Sequence, residues 1–159
     1  MKLSKPFTKH EAFAWASARC SRSEQCRSEL EYKLIGRGLT ASEASSVCDR
    51  LEDEDFLSDA RYACAFAHDQ LVLAKWGRVK VEKALREKHI SAGDIRAALE
   101  KNFVEEDYLS RLANLLKIKI KEFPDTYDPF EVAQRLLRYA TAKGYESELV
   151  FRVIQDLEV

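Results

Sequence analysis

The 159-residue chain has little punctuation, with five glycines and three prolines. A β-sandwich or barrel needs a turn every eight to twelve residues, so an all-β fold is excluded. Long hydrophobic runs are also missing. Stretches such as Ala12 to Ala16 and Leu71 to Ala74 are far too short to cross a bilayer, so no membrane span is expected. Lys5 and Lys9 near the N-terminus, like Lys2, are followed by no apolar segment, so no secretory signal is read. Cys20, Cys26, Cys48 and Cys64 form no CxxC pair, and His10, His68 and His89 complete no zinc spacing with them. Reduced thiols in a cytoplasmic protein, with no metal and no cofactor, are therefore expected. No nucleophile elbow, phosphate-binding glycine loop or paired metal-binding histidine motif is present, so nothing in the chain argues for an enzyme. The cluster Glu52 to Asp55 lacks the glycine and alternation of a calcium loop and reads as a solvated connection.

What is present is helical periodicity. Apolar residues, 46% of the chain, recur at spacings of three and four almost throughout. Thr8 or Lys9 begins a first helix carrying Phe13, Trp15, Ala16 and Cys20. Ser23 precedes the run through Leu30 and Leu34, which Gly36 and Gly38 close. Thr40 with Glu43 is a capping box. Ser58 or Asp59 opens a helix carrying Tyr62, Ala63, Phe66 and Leu73, and Ser91 with Asp94 opens another. Nine helices are predicted in all.

The nine fall into three sets. Leu30, Leu34, Leu39, Ala44 and Cys48 are spaced 4, 5, 5 and 4. Val81, Leu85, Ile90, Ile95 and Leu99 repeat that spacing, as do Leu136, Ala140, Tyr145, Val150 and Ile154. The copies are offset by 51 and 55 residues, and Gly38, His89 and Gly144 precede the third member of each. The fold expected is all-α: three tandem three-helix repeats over 7–52, 54–102 and 104–159, stacked into an elongated, curved rod. Such units are too small to bury their own cores well and contact only their neighbours.

The net charge is −1, but the charges are segregated. Residues 75–88 hold six basic side chains against two acidic, whereas residues 41–59 hold one against seven. On the helix after Gly77, Val81, Ala84 and Leu85 point inward and Lys80, Lys83 and Arg86 outward. With Lys75, Arg78 and Lys88 they form a stripe that can follow phosphates or stand as a solvated face. The second and third helices of each unit resemble a helix-turn-helix. A recognition helix must offer donors to base edges at its start. Here the starts read Ala41-Ser42-Glu43 and Ser91-Ala92-Gly93-Asp94, small and acidic. Any contact with nucleic acid is expected to be sequence-independent.

Two motifs carry a resemblance. Asp55-Phe56-Leu57-Ser58-Asp59-Ala60-Arg61-Tyr62-Ala63, and Lys75-Trp76-Gly77-Arg78 with Val81, Leu85 and Lys88-His89-Ile90-Ser91, resemble the hallmarks of the RecX regulatory proteins. Asp55 and His89 stand where that family usually has glycine. The resemblance spans about residues 10–157. It implies a non-enzymatic regulator that binds the RecA nucleoprotein filament and inhibits it, with DNA as a further partner through sequence-independent phosphate contacts. The expected contact residues are Lys75, Arg78, Lys80, Lys83, Arg86 and Lys88, on a monomer. A helical protein acting on DNA alone, or a helical adaptor for another protein, are the competing readings. Phe56, Leu57, Tyr62 and Trp76 are assigned to packing, and Asp59 and Arg61 to a cap and an ion pair.

Overall fold

A computed structural model describes residues 5–157, so Lys2 and the last two residues of the third unit lie outside it. Among the described residues there are nine α-helices and no strand. They are α1 (Lys9–Arg22), α2 (Arg27–Gly36), α3 (Ala41–Asp53), α4 (Asp59–His68), α5 (Arg78–Glu87), α6 (Ala92–Lys101), α7 (Glu105–Ile120), α8 (Pro129–Ala142) and α9 (Ser147–Asp156). They pack in threes, with the third helix of each set as the hub. α1 and α2 lie on α3, α4 and α5 on α6, and α7 and α8 on α9.

The sequence repeat is a structural repeat. Of its fifteen apolar positions, all are buried except Leu99, which is half-buried. The turn between the second and third helix is the same object three times. Gly38, His89 and Gly144 adopt left-handed φ of 99°, 61° and 96°. The next amide donates back over five residues in each copy: Leu39 to Leu34 at 3.2 Å, Ile90 to Leu85 at 3.2 Å and Tyr145 to Ala140 at 3.1 Å. The left-handed residue's own amide reaches the carbonyl three residues back at 3.0 Å in all three. This is the Schellman closure, which satisfies carbonyls that a helix end leaves free. Asp55, the other non-glycine hallmark position, is also left-handed at 63° and ends α3 in the same way.

Local caps follow the sequence in most places. Thr8, Ser58, Ser91 and Asp128 accept the amide three residues on, and Thr40 with Glu43 completes its capping box. Two expectations are corrected. Ser23 does not open the second helix; it ends α1, its amide bonded to the Arg19 carbonyl, and α2 begins at Arg27. Leu73 is not an inward position but 68% exposed, and Leu71 is fully buried in its place. A π-helical turn over Asp69–Leu73 follows α4. Its wider winding changes which residues face the core.

Two cores result. Residues from α1–α3, with Leu57, form one. Units two and three share the other, which Cys26 joins from the first unit. The accessible surface of 9965 Å² exceeds the value of about 8,100 Å² for a compact monomer of this mass, in keeping with units joined end to end. No helix among the described residues is long and apolar enough to cross a membrane. All four cysteines are free, and Cys48 and Cys26 are buried while Cys64 and Cys20 are half-buried. Cys48 and Cys64 both stand at apolar helical positions, yet Cys64 is only half-buried and Cys26 is the second buried thiol. Burial pushes the Cys48 thiol up to about 12, which leaves it protonated and inert at neutral pH.

Solution scattering should give a radius of gyration clearly above the value of about 15 Å for a compact chain of this length. His89→Gly should stabilise the protein. A non-glycine residue in the left-handed region costs about 1–2 kcal/mol, of which glycine's greater unfolded-state entropy returns about half. A gain of about 0.5–1 kcal/mol in urea unfolding is expected, and a loss would show that the His89 side chain stabilises its turn.

Candidate polyanion-binding face

The start of α5 has no cap of its own. Gly77, at the N-cap, has no side chain, and no intrahelical partner exists for the first amides. The third unit supplies the partners. Tyr108 Oη accepts from the Arg78 amide at 3.0 Å, and the Gly144 carbonyl accepts from the Val79 amide at 2.9 Å. Just before the helix, the Gly77 amide donates to the Lys143 carbonyl at 2.8 Å. These bonds require backbone to meet backbone. A Cβ on Gly77 would lie 2.2 Å from the Gly144 carbonyl carbon, and one on Gly144 would lie 2.3 Å from Lys80 Cβ. The positive end of the α5 dipole is thereby consumed inside the protein and is not a phosphate site.

The six basic residues of the expected stripe divide into two groups. Arg78 sits between units two and three. Its guanidinium pairs with Glu146, with Nε at 3.1 Å, and lies 3.8 Å from the Phe103 ring centre. Glu146 also accepts the Tyr108 hydroxyl at 2.6 Å. Burial first, and then that carboxylate, raise the Tyr108 pKa. Lys88 sits between units one and two, paired with Glu29 and facing the Tyr62 and Phe66 rings. The Lys88 carbonyl accepts the Ser28 hydroxyl at 2.6 Å. Both cations are held in seams between units.

The other four reach the surface. Lys75 is exposed and left-handed, with φ of 60°, and its carbonyl accepts the Tyr145 hydroxyl at 2.8 Å. Lys83 and Arg86 are exposed, Arg86 in a local pair with Glu82 at 2.5 Å. Lys80, expected to face solvent, is half-buried, and its ammonium stands 4.1 Å from the Trp76 ring centre. Val81 and Leu85 are buried as expected, and Ala84 is half-buried. Asp59 serves the adjoining seam rather than its own helix: its Oδ1 accepts the Arg27 amide at 2.9 Å, and Ser58 is the cap of α4. Arg61 pairs with Glu24 at 3.0 Å and with Asp55 at 2.9 Å.

Sequence reasoning missed the Arg27 hub. Its side chain holds Glu31, Asp49 and Glu52 at 2.8, 2.9 and 2.6 Å. One signal could have found it: Arg27 and Arg78 are 51 residues apart, the offset of the first two repeats. Among the described residues no group of acidic, histidine and cysteine side chains is placed to hold a metal ion.

Comparison with known proteins places this arrangement. Residues 58–99 match the family model described as RecX, second three-helix domain. The chain is 30% identical over 140 residues to the regulatory protein RecX of Pseudomonas entomophila, covering 87% of this chain and 86% of that one. It is 32% identical over 130 residues to the regulatory protein RecX of Chromohalobacter salexigens, covering 82% of each. Its fold is similar to the crystal structure of RecX from Lactobacillus salivarius, with a TM-score of 0.80 at 17% identity over 94% of this chain and 96% of that one.

Gly144→Ala should destabilise the protein by about 2–5 kcal/mol, the sum of a left-handed alanine and an overpacked seam. Gly93, within α6, has open space where a Cβ would stand, and Gly93→Ala should not destabilise. Urea unfolding midpoints of the two variants check the contrast.

Proposed function

The chain belongs to the RecX family of regulatory proteins, and we propose that it is a negative regulator of the RecA recombinase. It binds the RecA nucleoprotein filament as a monomer in the cytoplasm and restrains filament extension, ATP hydrolysis and strand exchange. The observation that carries this reading is the match to RecX over nearly the whole chain, in sequence and in fold. The family is regulatory, not enzymatic. The units proposed are three in tandem, over 7–52, 54–102 and 104–159, a layout that suits binding along a filament.

The proposed contacts to the filament and its DNA are Lys75, Lys80, Lys83 and Arg86, acting on phosphates irrespective of sequence. Arg78 and Lys88 serve the same surface indirectly, by fixing the units on either side of α5. The acidic starts of α3 and α6, at Glu43 and Asp94, disfavour insertion of either helix into a DNA groove.

The test is DNA-dependent ATP hydrolysis by RecA of the same source, with increasing amounts of this protein. A progressive fall in rate is expected; an unchanged rate would sink the proposal. Lys83→Ala with Arg86→Ala should leave stability nearly unchanged, since exposed substitutions fall within about 0.5 kcal/mol each. The pair should weaken binding to bare DNA and flatten its salt dependence by up to about 0.7–0.9 logarithmic units per phosphate contact, while much of the inhibition persists. Parallel loss of bare-DNA and filament binding would favour the reading as an autonomous DNA-binding protein.

A further inference from the structure

The two seams are built from different materials. Units two and three share a buried core and are joined by backbone: the Lys143 and Gly144 carbonyls accept the Gly77 and Val79 amides at 2.8 and 2.9 Å. Unit one keeps a core of its own, which runs through to Phe56 and Leu57. Among the described residues no backbone–backbone hydrogen bond crosses the first seam. Cys26 is the one buried side chain that unit one adds to the core of the other two. The remaining contacts are made by side chains. Asp59 Oδ1 accepts the Arg27 amide at 2.9 Å, and the Ser28 hydroxyl and Cys26 thiol donate to the Lys88 carbonyl at 2.6 and 3.4 Å. Lys88 pairs with Glu29, and Arg61 with Glu24 at 3.0 Å. These four charged side chains are 25–44% exposed. Ion pairs that water reaches hold weakly and are screened by salt. The Glu24 pair is also incomplete. Its Oε2 is buried with no hydrogen-bond partner among the described residues, a cost that hydration removes when the seam opens.

We propose that unit one is an arm that opens against a rigid body made of units two and three, with Lys88–Glu29 and Arg61–Glu24 as its catch. The chain passes between the two bodies at Leu57 and Ser58. Leu57 is buried in unit one and Ser58 caps α4, so the arm turns about this junction and does not drift from it. A part of a protein opens by itself where few buried apolar contacts hold it and its polar contacts meet water. The first seam meets both conditions, whereas the shared core keeps the second closed. Salt, or a charged partner competing for these four side chains, releases the catch and changes the angle between unit one and the rest of the array. The device works in the free protein and does not depend on the identity of the partner.

Amide hydrogen exchange at Arg27 and Arg78 reads the two seams separately. These residues begin α2 and α5, and each amide is bonded to the following unit. In the native full-length protein the Arg27 amide should be protected about tenfold less than that of Arg78, or weaker still, as a locally opening site is. Raising sodium chloride to about 1 M, where the screening length is about 3 Å, should lower the Arg27 protection further and leave Arg78 nearly unchanged. Glu24→Gln with Glu29→Gln should do the same at low salt. The amides of Leu34 and Leu51, inside unit one, should stay protected throughout, because the arm moves as a folded body. Equal protection at Arg27 and Arg78, or an Arg27 protection that responds to neither salt nor the paired substitution, overturns the proposal. So does a parallel loss at Leu34 and Leu51, which is unfolding of unit one and not its opening. Should the double variant not fold, the salt series on the native chain decides alone.

Discussion

The architecture depends on a deficit at the start of two helices. Four helices begin without a side-chain cap, α2, α5, α7 and α9; α2 and α5, the second helices of their units, start at Cys26 and Gly77, and their first amides need partners from elsewhere. In each case the following unit provides one. Asp59 of unit two accepts the Arg27 amide, and Tyr108 of unit three accepts the Arg78 amide. α8, the equivalent helix in the last unit, has no unit after it and carries its own cap in Asp128 and Pro129. Stacking is therefore written into the helix termini as well as into apolar burial. A unit taken from the array would expose unsatisfied amides along with its hydrophobic face.

The same two positions explain the behaviour of the arginines. Arg27 and Arg78 occupy equivalent places in successive repeats, and each anchors carboxylates at a seam or beside it: Glu31, Asp49 and Glu52 in one case, Glu146 in the other. Arg78 also stacks on Phe103. A planar, permanently charged group with five donors suits that task better than a lysine. The division of labour across residues 75–88 follows. Cations that reach a carboxylate of another unit become architecture, and those without one remain on the surface. Lys80 is intermediate, half-buried because Gly144 draws the third unit against its backbone.

Charge segregation then acquires a structural meaning. The net charge of −1 gives no long-range pull toward a polyanion, so attraction must be local. α5 lies in the middle unit, with a neighbour on each side, which places its exposed lysines along the array rather than at a tip. The acidic run at the end of α3 lies apart in the chain, where Asp55 is tied to Arg61 and Glu52 to Arg27.

Much of this protein was legible in its sequence, because helices are local objects. Spacings of three and four, the Thr40–Glu43 box and the repeated 4, 5, 5, 4 pattern identified nine helices, their grouping in threes and fourteen of the fifteen buried repeat positions. The left-handed turns at Gly38, His89 and Gly144 fell where the repeat placed them, since the closure of a helix is specified within six residues. The departures came where backbone geometry or a distant partner intervened. The π-helical turn exchanged Leu71 for Leu73, a change of winding that side-chain periodicity does not encode. The start of α2 moved to Arg27 because its cap comes from Asp59, thirty-two residues away. The basic stripe was visible, but its split into seam and surface was not. Whether a lysine or arginine is free depends on which carboxylate or ring the fold brings to it, and Glu29 and Glu146 reach Lys88 and Arg78 only through the stacking of the units.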